Sequence, residues 1–288
     1  MSASPCLAGP AETRHTGGPG GERFAYRRFG RAGTTPLVTH PRLRGTMDHW
    51  DPKLPDLPAA EREVVVCDSH GLTASTGTPV GAIEEMAEGS LAFIRSLELT
   101  GLDVLGRSLG GTVAQGVALA APGRVPRLMV AGSSAGGAPC LPAPPTRGRQ
   151  TVGKPVNDDE DFLHLLFPEA EEARAAGLAS LSRLGHRLKT SGAVIGPDAV
   201  RGQSQTIGTF KGFGERQEEF TLPALVALVA NGAHGAHGAH GVMIHSYPAY
   251  AMSQRPPNAK VILPSDAGHG FPFRHPEDFA HEVSRFLP

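Results

Sequence analysis

The stretch LDVLGRSLGGTVAQGVALA constrains the fold of this chain more than any other segment. It places Ser108 in a G-x-S-x-G pattern, with an apolar run just before it and a helix-forming run just after it. This order predicts a strand, a sharp turn and a helix, with the serine exposed in strained backbone at the tip of the turn. Glycines must flank such a turn because side chains there would collide with the strand and the helix. Ser108 is therefore the candidate nucleophile.

A second segment matches the same pattern. Gly132–Gly136 reads GSSAG and also follows a strand-like run. The residues after it read APCLPAPP, and prolines at this density exclude a helix interior. Its context therefore predicts a loop, and only Ser108 has the surroundings that a nucleophile of this kind requires.

Length and composition favour a globular protein of the cytoplasm. The 288 residues are enough for one large α/β domain or two small ones. A net charge of −1 argues against nucleic acid or an anionic membrane as a partner. No apolar run reaches transmembrane length, and the first residues lack the apolar centre of a signal peptide. Three scattered cysteines predict neither disulfides nor a zinc site. The oligomeric state stays open.

Strand-like and helix-like runs alternate after a Gly/Pro-rich start. Residues 1–21 are predicted to be a flexible tail, and residues 22–139 and 220–288 to form the core. Apolar runs such as Val64–Val66 lack alternation, as expected of strands buried on both faces. The pattern predicts an α/β fold with a doubly wound, mostly parallel sheet.

Residues 140–219 interrupt this alternation. They open with a Pro/Gly loop and continue as two helical runs, DDEDFLHLLF and EAEEARAAGLASLSRL, the first capped by Asp158 or Asp159. We expect a helical cap over the edge of the sheet; a loop with ordinary surface helices is the alternative. The apolar side chains of the first run suggest that the cap presents an apolar surface to the substrate. The alternative is that they only pack the insertion onto the sheet. These residues are Phe162, Leu163, Leu165, Leu166 and Phe167.

Five segments together carry a resemblance to a known family. They read PLVTHPRLRGTMDHWDP, VVVCDSHG, GRSLGG, NGAHG…VMI and DAGHGF, and they spread over nearly the whole chain outside the tail. The chain resembles α/β-hydrolase-fold proteins, in particular the bacterial cofactor-free serine hydrolases and haloperoxidase-like enzymes. The resemblance implies an active site whose members follow in the order serine, acid, histidine. It implies no cofactor and no metal.

The remaining site residues follow from this resemblance. His269 lies between two glycines after the last strand-like run and is the expected general base for Ser108. The oxyanion hole needs two backbone N–H groups. One is expected from Leu109, and the other from Leu43, with Arg42 and Arg44 as alternatives. Pro41 has no N–H and cannot serve. We expect a hydrogen bond between His269 Nε2 and the Ser108 hydroxyl.

The acid of the expected triad is missing. The family pattern has an aspartate in the loop that reads NGAHGAHGAHGVMI here, and glycine stands in its place, Gly235 or Gly241 depending on the alignment. The loop after the strand RLMVAG, where the acid can also lie in this fold, has no carboxylate. Asp266 could substitute in part. Asp68 is interpreted as a structural turn residue.

The threefold AHG repeat admits a second interpretation. His234, His237, His240 and His245 form a local cluster, and imidazole is a common metal ligand. The spacing is not a recognised zinc pattern, so a solvated duplicated loop is the preferred interpretation. The other histidines, including His40 and His49, carry no pattern and are expected at the surface or behind the site.

These observations leave three functions open. The first is a serine hydrolase acting on a small carboxylic ester or related acyl substrate, impaired by the missing acid. The second is a weak or inactive relative with a binding role. The third is perhydrolysis or halogenation through the same residues. Serine instead of aspartate at position 108 argues against dehalogenase and epoxide-hydrolase chemistry.

Overall fold

The described residues of the computed structural model, 6–137, 145–227, 247–264 and 267–287, contain one sheet of eight strands. The order across the sheet is β1-β2-β4-β3-β5-β6-β7-β8. The strands are β1 (Arg14–Gly17), β2 (Arg23–Gly30), β3 (Leu37–His40), β4 (Glu63–Cys67), β5 (Asp103–Arg107), β6 (Leu128–Ala131), β7 (Ala224–Ala227) and β8 (Ala259–Ile262). Pairing is antiparallel for β1–β2 and β2–β4 and parallel across the rest, which confirms the predicted fold class.

Helices cover the sheet and the ends of its strands. They are α1 (Lys53–Ala59), α2 (Ile83–Ser96), α3 (Leu109–Ala120), α4 (Thr146–Val152), α5 (Asp159–Leu166), α6 (Glu171–Ser191), α7 (Pro197–Thr209), α8 (Tyr247–Ser253), α9 (Phe271–Arg274) and α10 (Pro276–Phe286). In the described ranges no helix has the length and apolarity needed to cross a membrane.

Both faces of the central strands are buried. Successive residues of a strand point to opposite faces, so Val104 joins the core cluster on one side of the sheet and Leu105 joins the cluster on the other. The same split separates Val65 from its neighbours Val64 and Val66. Burial on both sides explains why these runs are continuously apolar.

Residues 7, 8 and 14–17 differ from the predicted flexible tail, because they make ordered contacts. Residues 14–17 pair with β2 as an edge strand, Arg14 opposite Tyr26. Further upstream, Asp56 Oδ1 accepts hydrogen bonds from the N–H groups of Leu7 and Ala8, at 2.9 and 2.6 Å. Backbone pairing therefore orders residues whose Gly/Pro-rich composition had indicated flexibility.

Residues 145–219, the described part of the insertion, form four α-helices, α4 to α7, of which α5 and α6 were predicted. Asp158 is the N-cap of α5 and accepts from the N–H of Asp161 at 2.8 Å, as one of the two expected caps. Asp51, fully buried, joins α6 to the core by accepting hydrogen bonds from Ser180 and Arg183. The insertion is therefore fixed to the body through buried charge, in addition to apolar contacts.

Candidate active site

Ser108 lies between β5 and α3 in a strained backbone conformation, with φ 54° and ψ −124°. A β-carbon at Gly106 would come within 2.1 Å of the Gly110 carbonyl oxygen, and one at Gly110 within 2.2 Å of the His40 carbonyl oxygen. No side chain fits either position. The structure therefore shows the sharp strand–turn–helix that the sequence predicts. The second pattern match, Gly132–Gly136, lies in a loop.

Leu109, the residue after Ser108, has a backbone N–H that makes no hydrogen bond within the described residues. It is the first residue of α3, where N–H groups have no acceptor within the helix. The Ser108 carbonyl is already used, since it accepts from the N–H of Gly111 at 2.8 Å. The positive end of the helix field adds to the attraction for an oxyanion at this point.

The hydrogen bonds of the loop after β3 exclude one of the three candidates for the second oxyanion donor. The N–H of Arg44 donates to Gln203 Oε1 at 2.8 Å, so it is occupied. Within the described residues, the N–H groups of Leu43 and Arg42 make no hydrogen bond. These two remain the candidates for the second oxyanion donor.

His269 shares a cavity of about 420 Å³ with Ser108. The turn that carries His269 is attached to α5 of the insertion, since the N–H of Gly270 donates to the Leu166 carbonyl at 2.6 Å. A β-carbon at Gly268 would lie 2.5 Å from that same carbonyl oxygen, which explains the glycine before the histidine. Within the described residues, buried His269 Nε2 has no hydrogen-bond partner. The expected hydrogen bond between His269 and Ser108 is therefore not formed.

The opposite side of the His269 ring faces the end of β6. A β-carbon at Gly132 would lie 3.3 Å from Nδ1, so the ring packs against the backbone of the loop that carries no acid. In the part of the chain that the structure describes, no carboxylate pairs with His269 or influences its titration. Asp266, residues 228–246 and the repeat histidines lie outside the described residues.

Two arginines dominate the electrostatics of the site. Arg107 is fully buried, lies over the ring of Phe273 at 4.3 Å, and donates to the His269 carbonyl at 3.2 Å. Burial, followed by the charges of Arg107 and Arg42, lowers the pKa of His269 to about 3. The imidazole is therefore neutral at physiological pH and able to accept a proton, in a field that opposes the imidazolium form.

His49 is a site residue that sequence reasoning missed. It lines the cavity together with Ser108 and His269. The N–H of Thr46 donates to its Nδ1 at 3.1 Å, so the neutral ring carries its hydrogen on Nε2. Burial and the charges of Arg42 and Arg107 lower the pKa of His49 to about 3. The spacing of Thr46 and His49, a capping box around a short turn, is the signal that could have drawn attention to it.

The remaining histidines and acids of this region have structural partners. His40, expected at the surface or behind the site, is buried at the end of β3 and its Nε2 lies 3.1 Å from the Ser90 hydroxyl. Asp68 accepts from the N–H of Met47 at 2.8 Å and from the Thr73 hydroxyl, in keeping with a turn residue. Among the described residues, no group of three or more His, Cys, Asp or Glu side chains could hold a metal ion.

The insertion supplies the apolar wall of the cavity. Phe162, Leu165 and Leu166 of α5 line it, together with Leu181 and Leu184 of α6. Leu163 and Phe167, predicted for the same underside, are buried in the adjoining core cluster instead. Both interpretations of the apolar run are therefore realised, because a helix presents different residues to the cavity and to the sheet.

Comparison with known proteins identifies the fold. An alpha/beta hydrolase fold protein from Chitinophaga pinensis matches with a TM-score of 0.85 and 27% identity, over 97% of this chain and 98% of that one. The chain has the α/β-hydrolase fold. A thermophilic esterase from Thermogutta terrifontis shares this fold at 19% identity, with a TM-score of 0.74 over 96% of this chain and 98% of that one. No family model matches the chain.

One curated relative matches this α/β-hydrolase-fold chain in part. It is the dihydrolipoyllysine-residue acetyltransferase component of an acetoin cleaving system from Pseudomonas putida, 34% identical over 117 residues. The match covers 40% of this chain and 31% of the relative's length. It therefore concerns less than a third of that protein.

Proposed function

We propose that this α/β-hydrolase-fold protein is a serine hydrolase that cleaves a small carboxylic ester or related acyl substrate. The observation that carries the proposal is the strained Ser108, which lines one cavity together with His269 and precedes Leu109, whose N–H makes no hydrogen bond within the described residues. Strain in a residue that is not glycine persists where the surrounding structure enforces it, and it is concentrated at functional sites. The esterase among the structures that share this fold supports the same reaction class.

The chemistry follows the usual order for acyl transfer. The Ser108 hydroxyl attacks the ester carbonyl while His269 Nε2 takes its proton. The N–H of Leu109 and that of Leu43 or Arg42 stabilise the oxyanion. The alcohol leaves with the proton from His269, and water then hydrolyses the acyl-enzyme by the same steps. Hydrogen bonds of this kind often form only when substrate is bound, and the unpartnered Nε2 is free to make one.

A weak or inactive relative with a binding role is the second candidate. It is favoured by the absence, among the described residues, of any carboxylate acting on His269. Loss of the acid in serine proteases costs on the order of 10⁴ in turnover, because the acid orients and stabilises the imidazole. The two candidates differ in whether Ser108 reacts at all.

Labelling with a fluorophosphonate probe tests the proposal. Ser108→Ala is expected to abolish labelling and aryl-ester turnover while leaving the fold intact by circular dichroism. Ser134→Ala, in the second pattern match, is the control and is expected to label like the parent protein. Labelling that survives Ser108→Ala, or that is lost in Ser134→Ala, would reject Ser108 as the nucleophile. No labelling of the parent protein would favour the binding role.

A further inference from the structure

Arg42 is a half-buried cation without a carboxylate partner among the described residues. Its side chain makes one hydrogen bond there, from Nη1 to the Leu43 carbonyl at 2.8 Å, and its Nε is buried without a partner. Burial and the nearby charge of Arg44 lower the pKa of Arg42 to about 10. The guanidinium has five N–H donors in a planar fork, so most of its hydrogen-bonding capacity is unused.

Three arginines that are more deeply buried than Arg42 have other partners. Arg27 pairs with Asp48 at 2.6 Å, and Arg62 pairs with Asp103 at 3.2 Å. Arg107 has no carboxylate among the described residues, but it stacks on Phe273 and donates to a carbonyl. Arg42 has neither a carboxylate nor a ring partner among the described residues, and its one hydrogen bond to a carbonyl uses a single donor. Its Nε is buried without a partner, and an unpaired buried donor is costly, so a carboxylate bound in the cavity would stabilise this guanidinium.

The cavity is where such a partner can bind. Arg42 lines it together with Ser108 and His49. The acids on the cavity wall do not neutralise Arg42, since Asp158 caps α5 and Asp159 is exposed. An anion that enters this cavity meets the guanidinium and the Nε2–H of His49 within one small space.

We propose that Arg42 binds a free carboxylate on the acyl part of the substrate, so that the preferred substrates are monoesters of dicarboxylic acids. This inference rests on the proposed hydrolase function and names its substrate class. The planar guanidinium matches a carboxylate with two parallel hydrogen bonds. Arg42 belongs to the loop that supplies the second oxyanion donor, so the carboxylate end and the scissile carbonyl are held by neighbouring residues.

Substrate charge would also act on the base. Arg42 is one of the two cations that disfavour the imidazolium form of His269. A carboxylate bound to Arg42 offsets that charge and makes proton transfer to the imidazole easier. The substrate thus replaces part of the negative charge that the glycine-containing acid loop lacks.

A matched pair of esters tests the inference. 4-Nitrophenyl hydrogen glutarate and 4-nitrophenyl valerate have acyl chains of equal length and differ in the terminal carboxylate. We expect kcat/KM of the parent protein to be about ten- to a hundredfold higher for the glutarate ester, the range of a charge-assisted hydrogen bond. Arg42→Gln is expected to bring the ratio of the two values close to one, and Arg42→Lys to retain part of it.

Controls separate this inference from the proposed function. Arg285→Gln, which changes an exposed arginine on α10, is expected to keep the parent ratio. Binding of glutarate and valerate to Ser108→Ala, with and without Arg42→Gln, is measured by calorimetry and needs no turnover. If no ester is hydrolysed but glutarate binding depends on Arg42, the hydrolase proposal fails and the anion site stands. A parent ratio at or below one, or equal glutarate binding with and without Arg42, would overturn the inference.

Discussion

Ser108 and Arg44 show how strain and function coincide at the scale of single residues. Four described residues other than glycine have positive φ, and these two both line the cavity, with φ of 54° and 53°. Arg44 turns the loop after β3, and its side chain donates to the carbonyl of Lys154 at 2.7 Å and to Asn157 Oδ1 at 2.9 Å. Strained backbone therefore lies where this loop, Ser108 and the insertion meet.

The pKa of His269 predicts an unusual pH profile. Because burial and two arginines lower it to about 3, the imidazole stays neutral and active as a base far below pH 6.5. We expect kcat/KM for an aryl ester to stay level from pH 8 to pH 5, whereas a histidine of ordinary pKa would lose more than about tenfold. In Arg42→Gln, loss of the positive charge of Arg42 raises the pKa of His269. The fall in kcat/KM on the acid side of the profile should therefore begin at a higher pH. An acid limb near pH 6.5 in the parent protein would contradict this assignment.

Restoring the acid tests the interpretation of the repeat. A carboxylate that accepts a hydrogen bond from Nδ1–H of His269 would fix the tautomer of the ring and stabilise its imidazolium form. Gly241→Asp, and a chain trimmed to one AHG unit with the same change, are expected to raise kcat for an aryl ester by about 10²-fold in at least one case, part of the ~10⁴ usually lost. Gly235→Ala is a control that changes the loop without adding charge. Brisk turnover by the parent protein and no gain in either variant would show that another carboxylate does this work.

At the scale of elements, the insertion is fixed to the core by buried charge. Arg183 of α6 donates to fully buried Asp51 from Nε at 2.8 Å, and Ser180 donates to the same carboxylate at 2.7 Å. Asp51 lies just before α1, so one carboxylate joins the insertion to the body of the fold. The helix that carries Leu181 and Leu184 of the cavity wall is therefore attached to the segment that leads into α1.

Asp51→Ala is predicted to be strongly destabilising. It leaves buried Ser180 and partly exposed Arg183 without their partner. Breaking a buried pair typically costs about 3–5 kcal/mol, and because the Arg183 side chain reaches water, we expect a loss near the lower end of that range. The free energy of unfolding in urea measures it. Glu277→Ala is the matched control, because it breaks a half-exposed pair with Lys53 and is expected to cost at most about 1 kcal/mol. Equal losses for the two variants would contradict the structural role of Asp51.

At the scale of the whole molecule, buried neutral histidines make stability depend on pH. Burial lowers the pKa of His40 to about 4 from 6.5, and His49 and His269 are lowered further. Between these folded-state pKa values and pH 6.5, the unfolded chain binds protons that the folded protein does not. The stability that the three neutral histidines contribute is therefore complete above pH 6.5 and is lost as pH falls below it. Asp103 acts in the opposite direction, since burial raises its pKa to about 6.

His40→Gln isolates one of these contributions. Because the variant lacks one titrating group, its free energy of unfolding should fall less between pH 7 and pH 5 than that of the parent, by about 2 kcal/mol. Urea titrations at both pH values measure the difference. His281→Gln, at an exposed histidine on α10, is expected to follow the parent. If the free energy of unfolding fell by the same amount in His40→Gln as in the parent protein, His40 would have an ordinary pKa in the folded protein.

The amino-acid sequence by itself determined the core elements and the sharp turn at Ser108. The strands around Val64 and Val104, the turn at Ser108 and a helix cap at Asp158 or Asp159 follow from periodicity, glycine and capping, all of which act between residues close in the chain. β1, α4 and α7 escaped prediction because their runs are short or polar and gain order from distant partners.

Only the tertiary structure decided the composition of the site. It brought His49 and Arg42 to the cavity of Ser108, occupied the N–H of Arg44 with Gln203, and left His269 without a hydrogen bond to the serine. Such facts depend on how loops from separate strands converge at one edge of the sheet. Sequence patterns report local conformation, whereas burial, charge and hydrogen-bond partners between distant segments arise only when the chain has packed.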